Sequence, residues 1–259
     1  MTELVQYRAD EHGYGEIMLN RPEKLNAIST EMVTAFSQAL QMAKQQPIKF
    51  LVITAAGDRM FCAGGDLQDL HGDLATDEAF SVLYPMKEVL YEMASFPVPT
   101  VCLLNGNAVG GGCEIATACD FRIARENTRF GFVQTKLGIT PGWGGGALLY
   151  EKVHPVFAFQ WLMEGETYST DYLHNKGWLQ SVVPDDEWHD RESMLTPYLT
   201  KSLEQMKLLK QQYMRKISIL PLSAQMDDEV RHCARLWETE AHKEAVRQFM
   251  SREDRDRET

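Results

Sequence analysis

The chain has 259 residues, of which 44% are hydrophobic and 24% are charged, and its formal net charge is −11. This length is sufficient for one large domain with a sizeable core. The acidic balance argues against a general nucleic-acid-binding protein, because such proteins need clustered positive charge to meet phosphates. No apolar run in the sequence approaches the length of a membrane span, so no membrane partner is expected.

The sequence predicts a cytoplasmic protein with reduced thiols. Residues 1–8 lack the charged and then apolar pattern of a secretory signal. The five cysteines are an odd number without the spacing of a disulfide framework. Cys62, Cys102, Cys113 and Cys119 are therefore expected to pack as small buried hydrophobic residues.

The first part of the chain alternates strand-like runs with helical patterns. Strands are predicted over residues 15–19, 50–54 and 99–104, because these runs are short and apolar. Helices are predicted over 31–44 and 79–94, where apolar residues recur at helical spacing. This alternation predicts an α/β fold, although periodicity alone does not distinguish a spiral of strand-strand-helix turns from a doubly wound sheet.

The helix predicted over 31–44 has one apolar face and a candidate cap. Ser29 or Thr30 can cap it, because a hydroxyl oxygen accepts hydrogen bonds from the free amides of a first turn. The spacing of five residues places them on the apolar face: Met32, Val33, Phe36, Leu40 and Ala43. From about residue 193 the strand patterns end, and helices are predicted over 203–216 and 224–251 with Pro221 between them.

Two glycine-rich segments each follow a predicted strand. Residues 61–67 contain Gly64 and Gly65, and residues 110–114 place three consecutive glycines before a predicted helix. Glycines let a ligand approach the main chain closely, and the free amides at a helix N-terminus stabilise negative charge that develops on an oxygen. Glu114 lies one turn inside this helix and is a candidate proton carrier.

These segments and two further motifs, residues 19–27 and 130–145, resemble the enoyl-CoA hydratase/isomerase family, the crotonase superfamily. The resemblance implies an α/β, crotonase-like spiral of strand-strand-helix turns. Residues 1–192 would form the core with the CoA site and the active site. Residues 193–259 would form a C-terminal helical region that packs in a homotrimer or a dimer of trimers and completes a neighbour's acyl pocket or its own.

The resemblance also implies a site for an acyl-CoA thioester, with coenzyme A entering as part of the substrate and no permanently bound cofactor. The amides of Ala63 and Gly111 would hold the thioester oxygen, and Glu114 and Gln134 occupy the two positions that act on the substrate. Further contacts with the substrate or CoA are expected from Lys24, Ala27, Gly64, Gly65, Asp66, Leu67, Gly110 and Trp143. No residues have metal-ligand spacing, so no metal site is expected.

Several of these residues have a structural interpretation as well. Asp66 is at least as well suited to cap a following helix, because Asp is a favoured capping residue. Arg21 and Lys24 could bind CoA phosphates or be merely solvated. Trp143 could form the wall of the acyl pocket or pack in the core. Glu114 could be a structural carboxylate paired with a cation.

Gln134 stands where hydratases of the family carry a second glutamate. An amide does not exchange protons in the useful pH range and only orients its neighbours through hydrogen bonds. Residues 119–123 and 139–145 resemble ethylmalonyl-CoA and methylmalonyl-CoA decarboxylases, whose first step needs no base. We therefore expect lyase chemistry, with decarboxylation of a short malonyl-type thioester slightly ahead of enoyl-CoA hydration or isomerisation. A non-catalytic acyl-CoA-binding paralogue is the alternative from another class.

Overall fold

The computed structural model describes residues 3–70, 74–217 and 219–257. The described chain forms two β-sheets from the strands β1 (Val5–Ala9), β2 (Gly15–Leu19), β3 (Leu51–Ala55), β4 (Met60–Cys62), β5 (Thr100–Leu104), β6 (Asn107–Val109), β7 (Phe121–Arg125), β8 (Arg129–Gly131), β9 (Thr167–Ser169) and β10 (Ser181–Val183).

Helices surround these sheets on the described part of the chain. Two short 3-10 helices span Pro22–Lys24 and Gln134–Leu137. The α-helices are α1 (Thr30–Lys44), α2 (Leu67–Leu70), α3 (Thr76–Ala94), α4 (Gly111–Ala118), α5 (Gly145–Lys152), α6 (Pro155–Glu164), α7 (Thr170–Asn175), α8 (Arg191–Leu199), α9 (Leu203–Lys216), α10 (Ile219–Trp237) and α11 (Glu240–Arg257).

The larger sheet has the strand order β1-β2-β3-β5-β7-β10. Only β1 and β2 pair in antiparallel fashion, and the other neighbours are parallel. Every residue of β3 and β5 is buried, as expected for parallel strands that are covered on both faces. Strands β2, β3 and β5 agree with the sequence prediction to within one residue at each end.

The smaller sheet, in the order β4-β6-β8-β9, explains the spiral. After each of β3, β5 and β7 the chain contributes one short strand to this second sheet and then forms a helical segment. Strands β4, β6 and β8 pair in parallel, so their carboxyl ends lie at one edge. The predicted spiral of strand-strand-helix turns is confirmed, and the glycine-rich segments that follow β4 and β6 are brought side by side.

Helix α1 begins where its capping residue predicts. The hydroxyl of Ser29 accepts a hydrogen bond from the amide of Met32 at 3.3 Å, so Ser29 rather than Thr30 is the N-cap. All five residues predicted for the apolar face of α1 are buried. This face packs in the main hydrophobic core.

The C-terminal region is helical as predicted, but its helix boundaries differ. Helix α9 spans the predicted residues, whereas Pro221 lies in the first turn of α10 instead of separating two helices. Proline is tolerated there because amides of a first turn have no intrahelical partner. The helix predicted over 224–251 is broken at residues 238–239 between α10 and α11. Residues 218, 258 and 259 lie outside the described residues, and a division at residue 193 stays a prediction.

The apolar face of α10 belongs to the same core as the sheet. Leu222, Met226, Val230, Ala234 and Trp237 are buried in the main hydrophobic cluster. The five cysteines are also buried and unpaired, which confirms that the four predicted ones pack in the interior. No helix in the described ranges is long and apolar enough to cross a membrane.

We expect Ser29→Ala to lower the free energy of unfolding by about 1 kcal/mol, because the Met32 amide loses its acceptor. Urea denaturation followed by circular dichroism measures the change. Thr30→Ala, at the neighbouring exposed residue, is the matched control and should change stability by less. Equal losses in the two variants would contradict the assignment of the cap.

Candidate active site

The two glycine-rich segments form one continuous wall. A Cβ atom built on Gly64, whose φ of +97° favours glycine, would lie 3.2 Å from the amide nitrogen of Gly111. A Cβ atom on Gly112 would lie 2.2 Å from the carbonyl oxygen of Cys62. The segments therefore approach each other through backbone alone, and side chains at these glycines would force them apart.

The amide of Ala63 is already engaged, which corrects one prediction. It donates to the carbonyl oxygen of Leu25 at 3.1 Å, so it is not available to a thioester oxygen. Within the described residues, the amides of Gly65 and Gly111 have no hydrogen-bond partner. Gly111 is the first residue of α4, where an amide has no intrahelical acceptor. The geometry favours Gly65 and Gly111, rather than Ala63 and Gly111, as the pair of donors.

Glu114 is a buried carboxylate held entirely by N–H donors. Its Oε2 accepts from the amides of Trp143 and Gly145, each at 2.9 Å, and its Oε1 accepts from Nε2 of Gln134 at 2.9 Å. Burial raises the pKa of Glu114 above its ordinary value of 4.5, while these three N–H donors and the amide of Gly142 oppose the rise. No cation is paired with it in the described chain, which removes the interpretation of Glu114 as half of an ion pair.

Gln134 is buried next to Glu114 at the start of the 3-10 helix Gln134–Leu137. Because an ionised carboxylate only accepts hydrogen bonds, the amide turns its NH2 group toward Glu114. Its Oε1 is buried without a hydrogen-bond partner in the described structure, and so is the hydroxyl of Thr140 on the same cavity wall. Two polar atoms of residues that line the cavity are therefore left to be satisfied by a ligand or a water molecule.

A cavity of about 460 Å³ connects these groups. Nine predicted site residues line it: Ala63, Gly64, Gly65, Leu67, Gly110, Gly111, Glu114, Gln134 and Trp143. The indole of Trp143 covers Gly111 so closely that a Cβ atom there would lie 2.0 Å from the ring. Trp143 is thus both buried and part of the cavity wall, which unites its two interpretations.

Lys24, Ala27 and Asp66 are not among the described residues that line the cavity. Lys24 is exposed, and the carbonyl oxygen of Ala27 accepts from Nη1 of Arg21 at 3.0 Å. The same nitrogen of Arg21 donates to the carboxylate of Asp66 at 2.6 Å. This ion pair joins the early turn to the first glycine-rich segment, so Arg21 and Asp66 are positioned as a structural pair.

The C-terminal helices supply cavity residues that the sequence did not indicate. Cys233 and Trp237 of α10 and Phe249 of α11 line the apolar side of this chain's own cavity. On α10, Glu229 accepts from the amides of Gly146 and Ala147 at 3.2 and 2.7 Å. The helical spacing of Met226, Val230, Cys233 and Trp237 identifies the buried face of α10, but it does not reveal which helix this face meets.

Solved structures of enoyl-CoA hydratases have the same fold. The enzyme from Bacillus halodurans superimposes with a TM-score of 0.86 at 23% identity, over 95% of this chain and 99% of that chain. The family model described as enoyl-CoA hydratase/isomerase matches residues 10–258. The chain therefore belongs to the enoyl-CoA hydratase/isomerase family, as its motifs predicted.

Two relatives show the range of names within the family. A crotonyl-CoA hydratase from Syntrophomonas wolfei is 34% identical over 172 residues, covering 66% of each chain. A 1,2-epoxyphenylacetyl-CoA isomerase from Escherichia coli K12 is 33% identical over 193 residues, covering 73% of each. The chain spans 52% to 66% of the length of the first curated relatives that it matches.

The raised pKa of Glu114 predicts a pH-dependent stability. A carboxyl group whose pKa is higher in the folded than in the unfolded protein stabilises the fold fully below its ordinary value of 4.5. This contribution is lost as the pH rises through the folded-state pKa. We expect the free energy of unfolding to fall less steeply above about pH 5 in Glu114→Gln than in the parent protein.

Chemical denaturation at a series of pH values measures this difference. Asp228→Asn, which removes an exposed carboxylate on α10, is the control and should retain the parent's slope. If Glu114→Gln and the parent protein lose stability in parallel across this range, burial does not raise the pKa of Glu114.

Proposed function

We propose that this chain acts on an acyl-CoA thioester through an enolate, with Glu114 as its single proton carrier. The observation that carries the proposal is the contact between Glu114 and the neutral amide of Gln134 at 2.9 Å. Among the described residues that line the cavity, Glu114 is the only acid. Membership of the enoyl-CoA hydratase/isomerase family supports the thioester as the substrate class.

The amides of Gly65 and Gly111 are the proposed donors to the thioester oxygen. Both residues line the cavity close to Glu114, and the Gly111 amide lies at the positive end of α4. Donors fixed in a largely apolar cavity stabilise an oxyanion more than they would in water, and they require no reorganisation as charge develops. This feature serves any reaction that passes through a thioester enolate.

Decarboxylation of a short malonyl-type thioester is the reaction that we expect to be fastest. The bond between the α-carbon and the substrate carboxylate breaks, and carbon dioxide leaves. The electron pair of that bond forms the enolate, whose negative charge lies on the thioester oxygen. Glu114 then gives its proton to the α-carbon and regains one from water. Burial raises the pKa of Glu114 above its ordinary value, which brings the group nearer to the pH at which it would work and so suits it to proton transfer. Removing a second carboxylate also removes a repulsion against the substrate.

Hydration of a 2-enoyl-CoA is the second candidate, and the unpartnered Oε1 of Gln134 favours it. In this reaction one water molecule would supply both added groups. Gln134 would orient the water, Glu114 would take its proton as the oxygen attacks C3, and Glu114 would return that proton to C2. The name of the Syntrophomonas relative, crotonyl-CoA hydratase, supports this alternative, and the Escherichia coli relative is named an isomerase.

Coenzyme A would enter as part of the substrate, and no permanently bound cofactor is proposed. The exposed Lys24 is the proposed contact for a CoA phosphate, whereas Arg21 is occupied by Asp66. Ala27 and Asp66 lie beside this turn, but their amides already donate to the carbonyl oxygens of Lys24 and Ile28, so the proposed contacts of these two residues with CoA do not use their amides. A homotrimer or dimer of trimers and a cytoplasmic location remain part of the proposal.

Glu114→Gln is expected to lower turnover by about two to four orders of magnitude while CoA affinity is retained, because the variant keeps the shape of the side chain but has no ionisable proton to transfer. Mass spectrometry of products from malonyl-type, enoyl and hydroxyacyl thioesters measures turnover, and CoA titration measures binding. Turnover equal to that of the parent protein would rule out Glu114 as the proton carrier.

Gln134→Glu is expected to shift the ratio of reactions toward hydration, because it supplies a second carboxylate at almost constant shape. Carbon dioxide release from methylmalonyl-CoA should fall, and water addition to crotonyl-CoA should rise. The matched control is Gln134→Met, which keeps the approximate length of the side chain and removes its polar group; it should gain no hydration.

Assays of the parent protein with crotonyl-CoA and malonyl-type thioesters distinguish the candidate functions. Efficient hydration of crotonyl-CoA with intact malonyl-type thioesters would reject decarboxylation in favour of the second candidate. Tight CoA binding without turnover of any thioester would reject both and identify a non-catalytic acyl-CoA-binding paralogue.

A further inference from the structure

The first turn of α5 is shared by two carboxylates from different helices. Glu114 of α4 accepts from the amide of Gly145, and Glu229 of α10 accepts from the next two amides, those of Gly146 and Ala147. The first intrahelical bond of α5 follows immediately, from the amide of Leu148. All the free donors of this helix start are therefore divided between Glu114 and Glu229.

Consecutive glycines make room for the two acids. A Cβ atom on Gly145 would lie 2.3 Å from Cγ of Glu114, and a Cβ atom on Gly146 would lie 2.6 Å from Oε2 of Glu229. Neither carboxylate could reach these amides past a side chain. The glycines of this turn are thus explained by the carboxylates that lie against them.

Glu229 is not among the described residues that line the cavity, so its effect on the substrate must pass through α5 and Glu114. We propose that Glu229 is a positioning residue that holds the start of α5 against Glu114, and that these two carboxylates retain one proton between them. Glu229 would thereby be the second acid of the site, in place of the carboxylate that is absent at Gln134. The shared proton does not depend on the proposed function; only its expected effect on turnover rests on that function.

The surroundings disfavour a state in which both carboxylates are charged. On α3, the ammonium of Lys87 is bound by Asp227 at 2.6 Å. Among the described residues, Tyr150 of α5 and Cys233 of α10 also interact electrostatically with Glu229, and neither is a cation. Two neighbouring carboxylates without a cation release their protons in separate steps, because the second charge forms against the first.

The direction of the pKa shift of Glu229 agrees with this arrangement. Burial and the charge of Glu114 raise the pKa of Glu229 to about 8, in that order of importance, while the amides of α5 oppose the rise. Near neutral pH Glu229 therefore holds a proton. Above about pH 8 Glu229 loses this proton, and a negative charge is added at the start of α5 beside Glu114.

Infrared difference spectroscopy of the carboxylic acid C=O band tests the shared proton without substrate. In the parent protein we expect a band that disappears with a midpoint near pH 8. Glu229→Gln should abolish this step, and Glu114→Gln should move it to lower pH by about one unit because the opposing charge is gone. Asp228→Asn, which removes an exposed carboxylate of α10 paired with Arg231, is the matched control and should leave the step unchanged.

A step near pH 8 that persists in Glu229→Gln, or that Glu114→Gln does not move, would overturn the inference. Circular dichroism checks that each variant is folded. If Glu229→Gln does not fold, Glu229→Asp is measured instead. The side chain of Asp is one methylene shorter, so it moves the carboxylate away from Glu114 and should lower the midpoint of the infrared step. A midpoint unchanged in Glu229→Asp would also overturn it.

The turnover of the same variants separates this inference from the proposed function. With an active thioester, the pH profile of the parent protein should contain the step near pH 8, and Glu229→Gln should lack it. If the spectroscopic step behaves as expected but no thioester is turned over, the proposed function fails and the shared proton stands. If turnover occurs without the step, the shared proton fails and the proposed function stands.

Discussion

The arrangement of the site depends on keeping one carboxylate, Glu114, out of water. A buried carboxylate is strongly destabilising unless hydrogen-bond donors replace its hydration. Here the donors are the amide of Gly145 at the start of α5, the amide of Trp143 just before it, and the side chain of Gln134. This requirement brings α4, α5 and the 3-10 helix Gln134–Leu137 together, and it explains why the chain has glycine where the helices meet.

Close backbone approach is the second constraint, and it follows from the two-sheet spiral. Parallel pairing of β4 with β6 brings Gly64 next to the amide of Gly111. The same approach leaves the amides of Gly65 and Gly111, on the cavity wall, without partners among the described residues, whereas the amide of Ala63 donates to the carbonyl oxygen of Leu25. The close approach of the two glycine-rich segments therefore explains both why the fold needs glycine there and why backbone amides remain to bind an oxyanion.

Helix α10 connects the core to the site. Its apolar face is buried in the main core, while Cys233 and Trp237 line the cavity and Glu229 holds the start of α5. A change in the packing of α10 would thus move the first turn of α5 and alter the hydrogen bonds of Glu114. The pH at which Glu229 ionises is then a property of the whole arrangement rather than of one side chain.

The sequence by itself determined the elements whose signals are local. The apolar runs predicted β2, β3 and β5, and the hydroxyl residues 29–30 predicted the start of α1, because strand burial and capping depend on neighbouring residues. The spiral and the role of Glu114 were implied by the resemblance of the ordered glycine motifs to the enoyl-CoA hydratase/isomerase family. Only the tertiary structure decided which amides are free and which acids meet. The carbonyl oxygen of Leu25 accepts from the amide of Ala63. Glu114 and Glu229, which are more than a hundred residues apart in the sequence, bind neighbouring amides of one helix start. Such contacts leave no periodic signal in the sequence.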